Sequence, residues 1–156
     1  MTPAVLLLKK QKIAFDILEY DHDSDCQAYG MEAVEKLSLP PSQVFKTLVT
    51  ELDNGKLAVA LIPVTARLSL KKIAKLCGVK KAAMAEPSKV TAATGYILGG
   101  VSPLAQKRKL MTVIDDTAGQ YPVCYVSGGR RGLEIAISPS ELILLTNAKV
   151  APVTEA

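Results

Sequence analysis

The sequence predicts a mixed α/β (α+β) domain, with a strongly curved mixed sheet or barrel-like core and flanking helices. Strand-like runs VFKTLVTEL and KLAVALIPV are separated by Asp53-Asn54-Gly55, a turn that demands an antiparallel hairpin. Capped helical segments such as SLKKIAKLCG and SPSELILLTNA stand between other strands, which demands crossovers as well. A chain that mixes hairpins with crossovers does not follow a regular alternation of strand and helix. With 156 residues, 49% hydrophobic and 22% charged, and no repeat or linker, the span 1–156 reads as one domain that buries a real core.

Each element has its own signal. Thr2 as N-cap and Pro3 at the first helical position start a short amphipathic helix through TPAVLLLKKQK. AFDILEY alternates and reads as a strand ending at Tyr20. GMEAVEKLSL has helical spacing, with Met31, Val34 and Leu37 on one side, and is expected to stop at Pro40-Pro41. After the hairpin, Ser69 caps a helix with Leu70, Ile73, Ala74 and Cys77 facing inward and Gly78 ending it. EPSKVTAATG is a further helix, with Pro87 in its first turn and Gly95 as its stop. Then come a short strand at Tyr96–Leu98, a glycine turn, a basic segment, and a second strand in MTVID. PVCYV and LEIAIS pair around SGGRRG, Ser138-Pro139 opens the last helix, and KVAPV supplies a closing strand.

Composition excludes several chemistries. His22 is the only histidine, and the three cysteines, Cys26, Cys77 and Cys124, are far apart with no CxxC pair, so a zinc site is not expected. The odd cysteine count suits reduced thiols in a cytosol. The amino-terminal MTPAVLLLKKQK lacks the pattern of a signal peptide, and nothing approaches the ~20 apolar residues of a membrane span, so a cytoplasmic protein is expected. His22, between Asp21 and Asp23, reads as a solvated loop histidine rather than a base. Cys26 has no cation except His22 to activate it. The net charge of +4 is compatible with an anionic partner and too small to prove one.

Lys46 is the anomaly. In a strand it shares a face with Val44 and Leu48, while Phe45, Thr47 and Val49 take the other, so apolar neighbours surround it on either reading. Its ammonium must snorkel, find a partner, or be held for a purpose. Two glycine turns compete for attention. In GGVSP, Gly99 and Gly100 either bend the chain or free backbone N–H groups for an anion. SGGRRGLE matches neither a P-loop nor a dinucleotide fingerprint, and reads as a hairpin loop with solvated Arg130 and Arg131 or as a phosphate contact at a pocket rim. With five tyrosines, two phenylalanines and no tryptophan, independent sequence-specific RNA recognition is not expected.

VFKTLV, TGYILGGVSPLAQKRK and YVSGGRRGLEI, with the opening MTPAVLLLKKQKI, together resemble the YbaK branch of the YbaK/prolyl-tRNA synthetase editing-domain superfamily. The resemblance covers essentially the whole chain. It implies a mixed α/β fold with a curved or barrel-like sheet, no metal and no organic cofactor. It also implies trans-editing deacylation of Cys-tRNA(Pro), in which the cysteinyl thiol attacks its own ester, with prolyl-tRNA synthetase as a transient partner. The family's lysine falls on Lys46 and its GxxxP loop on Gly99 to Pro103, so Lys46, Gly99 and Gly100 are the expected catalytic groups. Tyr20, Ser102, Pro103, Ser127, Gly128 and Glu134 are the expected substrate-binding residues. Glu134 stands where relatives usually have Asp, and Ala105 where they usually have Gly. A non-catalytic module that holds acyl-tRNA ends, and a water-using deacylase for Ala-tRNA(Pro), are the alternatives.

Overall fold

A computed structural model describes residues 1–26 and 28–156. Helix α1 (Pro3–Lys10) is capped by Thr2, whose hydroxyl accepts from the Val5 N–H, and Pro3 takes the first helical position as expected. Strand β1 (Asp16–Glu19) stops just short of Tyr20, and α2 (Tyr29–Leu37) follows. The hairpin forms from β2 (Phe45–Leu52) and β3 (Leu57–Pro63), with Thr47 opposite Leu61. Helix α3 (Leu70–Leu76), strand β4 (Ala82–Met84) and helix α4 (Pro87–Thr94) lead to β5 (Met111–Asp115). Strands β6 (Cys124–Ser127) and β7 (Leu133–Ile137), helix α5 (Pro139–Thr146) and strand β8 (Lys149–Ala151) complete the order.

The strands lie in two sheets. One has the order β4-β2-β3-β5-β8, antiparallel around β2 and parallel across β3-β5-β8; the other, β1-β7-β6, is antiparallel. A parallel bridge between Val44 and Tyr125 ties the start of β2 to β6. The mixed α/β class is therefore observed.

Strand β3 is central, and its unbroken apolar run is buried on both faces. Leu61 packs with Phe45 and Ile114 against Val126, Ile135 and Ile137 of the smaller sheet. Ala58, Ala60 and Ile62 face the other way, toward Ile73 of α3. Val59, with Val49, Val90, Tyr96 and Val101, makes a third cluster beneath the glycine turn. Burial of these side chains, at roughly 25 cal/mol per Å² of apolar surface, supplies the main stabilisation. Asp115, only 1% exposed, anchors the C-terminal segment by accepting from the Val153 N–H and from the Thr117 hydroxyl.

Three expectations are corrected. Helix α2 ends at Leu37, before the prolines, because Ser38 turns into the left-handed region at φ 53°. Tyr96–Leu98 forms a turn instead of a strand: the Tyr96 ring is buried, its hydroxyl donates to the Leu104 carbonyl at 2.6 Å, and the Gly100 N–H closes onto the Ile97 carbonyl at 2.8 Å. The short strand β4, paired with Thr50–Leu52, was not anticipated, since AAM carries no alternation to reveal it.

Ala105 adopts φ 55°, the region that favours glycine. An alanine there is strained by about 1 kcal/mol, part of which glycine's greater unfolded-state entropy cancels. Ala105→Gly is expected to raise the urea midpoint by a stability gain of up to about 0.5 kcal/mol; a loss of stability in the same titration contradicts this account of the turn.

Candidate active site

A cavity of about 390 Å³ opens where the start of β2, the glycine turn 97–101 and the facing ends of β6 and β7 converge. That size suits a small ligand or the end of a large one. Tyr20, Lys46, Gly99, Ser127 and Glu134, spread over more than a hundred residues of sequence, all line it. Apolar groups including Met31, Phe45, Leu48, Val64 and Val101 form much of the rest of its wall.

Glu134 is the most telling member. It sits on β7 opposite Leu18 and Ser127, is 8% exposed, and its Oε2 has no hydrogen-bond partner among the described residues. Burial pushes its carboxyl up to about 8. Thr47 Oγ1 is likewise buried and unpaired. These are the two buried side-chain oxygen or nitrogen atoms without partners among the described residues, and both residues line this one cavity. Buried polar groups are normally satisfied, so a pair of orphans in one cleft singles it out as the candidate site.

Lys46 lies on the half-buried start of β2, between Val44 and Leu48 as the alternation requires. Burial, followed by the nearby Arg67 cation, pushes its ammonium below the usual lysine range. The ion pairs among the described residues engage Lys36, Lys89, Arg130 and His22, and Lys46 takes part in none of them. The cavity thus carries a carboxyl and an ammonium that do not neutralise each other. Tyr20 stands near Glu134; burial and that carboxyl push its phenol up to about 12, so it remains a neutral hydroxyl. The Ser127 hydroxyl accepts from the Gly129 N–H at 3.2 Å.

The two glycine turns pack directly on each other. A side chain at Gly100 would meet the Arg130 Cα at 2.8 Å, and its N–H is spent on Ile97. Gly99, at φ 90°, borders the cavity, and a side chain there would reach Arg131 Nε at 2.6 Å and the Tyr29 ring at 2.9 Å. Four expected site residues do not line the cavity. Gly100 is a packing glycine whose amide is already bonded. Ser102 is fully buried, with its hydroxyl accepting from the Leu104 N–H at 3.2 Å. Pro103 is buried beside it, away from the cavity wall. Gly128 bonds the Leu133 carbonyl through its N–H and accepts from the Thr2 hydroxyl, so it joins α1 to the loop.

Sequence reasoning also missed a network. His22 is not a solvated histidine: Nδ1 lies 2.6 Å from Glu32 Oε1, and Nε2 lies 3.3 Å from Arg131 Nη1. Burial alone would raise the Glu32 carboxyl, but bonds from His22, the Asp23 N–H and Lys36 outweigh it and hold it at about 2. Arg131 is not solvated either, since it bonds Tyr29 and the Leu98 carbonyl. Arg130 is exposed and pairs with Glu19 at 2.9 Å. Nothing in the local sequence announces contacts that span about a hundred residues. With both nitrogens of His22 engaged, Ser127 has no histidine base, and Cys26, bonded to the Ala28 carbonyl, does not line the cavity.

Comparison with known proteins agrees in kind. The family model described as the aminoacyl-tRNA editing domain matches residues 25–145. A curated protein of Enterococcus faecalis, named as a proposed Cys-tRNA(Pro)/Cys-tRNA(Cys) deacylase, is 35% identical over 153 residues, covering 98% of this chain and 93% of its own. A solved structure described as a proposed trans-editing enzyme for prolyl tRNA synthetase is similar with a TM-score of 0.86 at 26% identity, over 100% of this chain and 99% of that one. Another, of a hypothetical protein, has a TM-score of 0.88 at 28% identity, over 99% and 100% of the two chains. Among the described residues no helix is long and apolar enough to cross a membrane.

Glu134 should leave a signature in stability. Below pH 4.5 the carboxyl is protonated whether the chain is folded or not, so it costs nothing. As pH rises from 4.5 to about 8 the unfolded chain releases the proton while the folded chain keeps it, and stability falls; above about 8 the loss is complete. Glu134→Gln is expected to melt with the wild type near pH 4 and to exceed it in stability at pH 9, by on the order of 3 kcal/mol. A difference between the two that is constant across pH contradicts the assignment.

Proposed function

The chain belongs to the aminoacyl-tRNA editing domain family, and from that premise we propose that it is a trans-editing deacylase that removes cysteine from Cys-tRNA(Pro). The observation that carries this reading is the cavity itself, with a buried carboxyl unpartnered and an ammonium unbridged among the described residues in one apolar cleft. The end of an aminoacyl-tRNA bears complementary groups: an α-ammonium at the amino acid and negative charge at the terminal nucleotide. Glu134 receives the α-ammonium, and that cation draws the carboxyl into its ionised form. Tyr20 and Ser127 orient the amine and the ribose hydroxyls, and Thr47 gains a partner for its hydroxyl. Lys46 directs its charge toward the scissile ester and the 3′-terminal nucleotide, where an apolar wall screens it poorly. The Gly99 N–H faces the carbonyl oxygen as that atom gains charge.

The reaction needs a nucleophile, and the cavity wall offers none with a base beside it. The cysteinyl thiol of the substrate fills that role. Its pKa near ~8.5 leaves part of it ionised at neutral pH, and attack within one molecule avoids the entropy of bringing two together. The sulfur bonds to the carbonyl carbon, the bond from that carbon to the ribose oxygen breaks, and the ribose oxygen takes a proton, leaving a thiolactone and uncharged tRNA. Recognition of tRNA(Pro) comes from prolyl-tRNA synthetase in a transient complex, since a chain of net charge +4 has little with which to discriminate tRNA bodies.

Purified protein incubated with Cys-tRNA(Pro), Ala-tRNA(Pro) and Ser-tRNA(Pro) tests the reading. The cysteinyl ester is expected to be cleaved and the other two to persist. Lys46→Ala is expected to lower the single-turnover rate about a hundredfold. Intact Cys-tRNA(Pro) would leave a binding module in place of an enzyme, appreciable loss of Ala-tRNA(Pro) would indicate water as nucleophile, and an unchanged rate in Lys46→Ala would remove that residue from the chemistry.

A further inference from the structure

Arg131 stands at the junction of three segments that the sequence keeps far apart. Its Nη2 donates to the Tyr29 hydroxyl at 2.6 Å and to the Leu98 carbonyl at 3.1 Å, and the guanidinium lies over the Tyr29 ring, 4.1 Å from its centre. Leu98 immediately precedes Gly99, and the bare α-carbon of Gly99 is what leaves room for Arg131 Nε. Tyr29 opens α2 and, like Leu98 and Gly99, lines the cavity. One side chain therefore fixes how far the glycine turn stands from the helix across the cavity mouth.

The guanidinium is itself held. The carboxylate of Glu32 only accepts, so His22 Nδ1 at 2.6 Å must carry the proton. In the neutral ring, Nε2 is then an acceptor, and it faces Arg131 Nη1 at 3.3 Å. Glu32 is fixed in turn by the Asp23 N–H and by Lys36. The chain of contacts runs from Lys36 through Glu32, His22 and Arg131 to the Leu98 carbonyl, and none of its links uses a group assigned above to substrate contact.

We propose that Arg131, held by His22, is a positioning residue that sets the Gly99 turn against α2 and so places the Gly99 N–H for the deacylation. The proposal rests on the deacylase reading for its consequence in rate, and on the fold alone for its consequence in the turn. A planar fork that donates twice and stacks is required, so lysine at this position, though cationic, does not replace it. Misplacement of a catalytic group by about 1 Å is enough to cost about a hundredfold in rate.

The test uses the full-length protein with Arg131→Lys and His22→Gln; a glutamine amide both donates toward Glu32 and accepts from Arg131. Arg131→Lys is expected to lower kcat on Cys-tRNA(Pro) by about a hundredfold, with KM changed less than about threefold. His22→Gln is expected to retain kcat within about threefold. Wild-type kcat in Arg131→Lys, or a loss confined to KM, overturns the proposal, because the residue would then be dispensable or a mere contact for RNA charge.

A second measurement needs no turnover. The Gly100 N–H is bonded to Ile97 inside the same turn, so its hydrogen exchange reports the turn's closure. Exchange of Gly100 is expected to accelerate at least about tenfold in Arg131→Lys while amides in β3 keep their protection; unchanged Gly100 exchange overturns the proposal. If wild-type protein leaves Cys-tRNA(Pro) intact, the deacylase reading fails, and this exchange still decides whether Arg131 holds the turn.

Discussion

The backbone of the Gly99-Gly100 turn rests against the backbone of Arg130-Arg131 with no room for a β-carbon at Gly100. That contact is the constraint from which the cavity follows. It presses a loop following α4 onto the loop joining β6 to β7, and so encloses a space that neither sheet could form alone. The Val44–Tyr125 bridge fixes the third side by tying the entry of β2 to β6. Lys46, two residues into that strand, and Glu134, at the start of β7, are thereby delivered to one cleft from different sheets.

Opposite charges in a partly buried cleft would ordinarily collapse into an ion pair. Among the described residues Lys46 and Glu134 form no such pair, and each is carried by its own sheet. The carboxyl of Glu134 responds by holding its proton, and the ammonium of Lys46 by becoming easier to discharge. In the proposed deacylation both shifts reverse when groups of complementary charge on the substrate come into contact with them. Glutamate where relatives usually have aspartate still borders the cavity, so the additional methylene extends the carboxyl without removing it from the wall.

Much of this was legible in the chain. Caps, the Asp53-Asn54-Gly55 turn and the apolar periodicities are local signals, and the elements they foretold are present with small shifts at their ends. Lys46 was conspicuous because charge breaks an apolar pattern, and Tyr20, Ser127 and Glu134 were reached through resemblance and then found together around one cavity. What stayed hidden was of three kinds. Tyr96–Leu98 has strand-like residues, but a buried tyrosine hydroxyl bonded to Leu104 and a turn bonded through Gly100 took the backbone elsewhere. Ser102, Pro103 and Gly128 belong to a recognisable motif yet serve to build the turns. The network from His22 to Arg131 was invisible because its bonds join residues about a hundred positions apart, and loop arginines look solvated until their partners are known.

In the proposed mechanism the cleft supplies placement and charge while the substrate supplies the nucleophile. Deacylation of tRNA charged with S-methylcysteine, compared with the unmodified cysteinyl ester under single-turnover conditions, tests it most directly, because the methyl group abolishes the thiolate and keeps the acyl chain close in size. The ester of S-methylcysteine should survive at its spontaneous rate of hydrolysis, whereas the cysteinyl ester is lost. Equal rates for the two would contradict the claim and require a water or protein nucleophile in the same cavity.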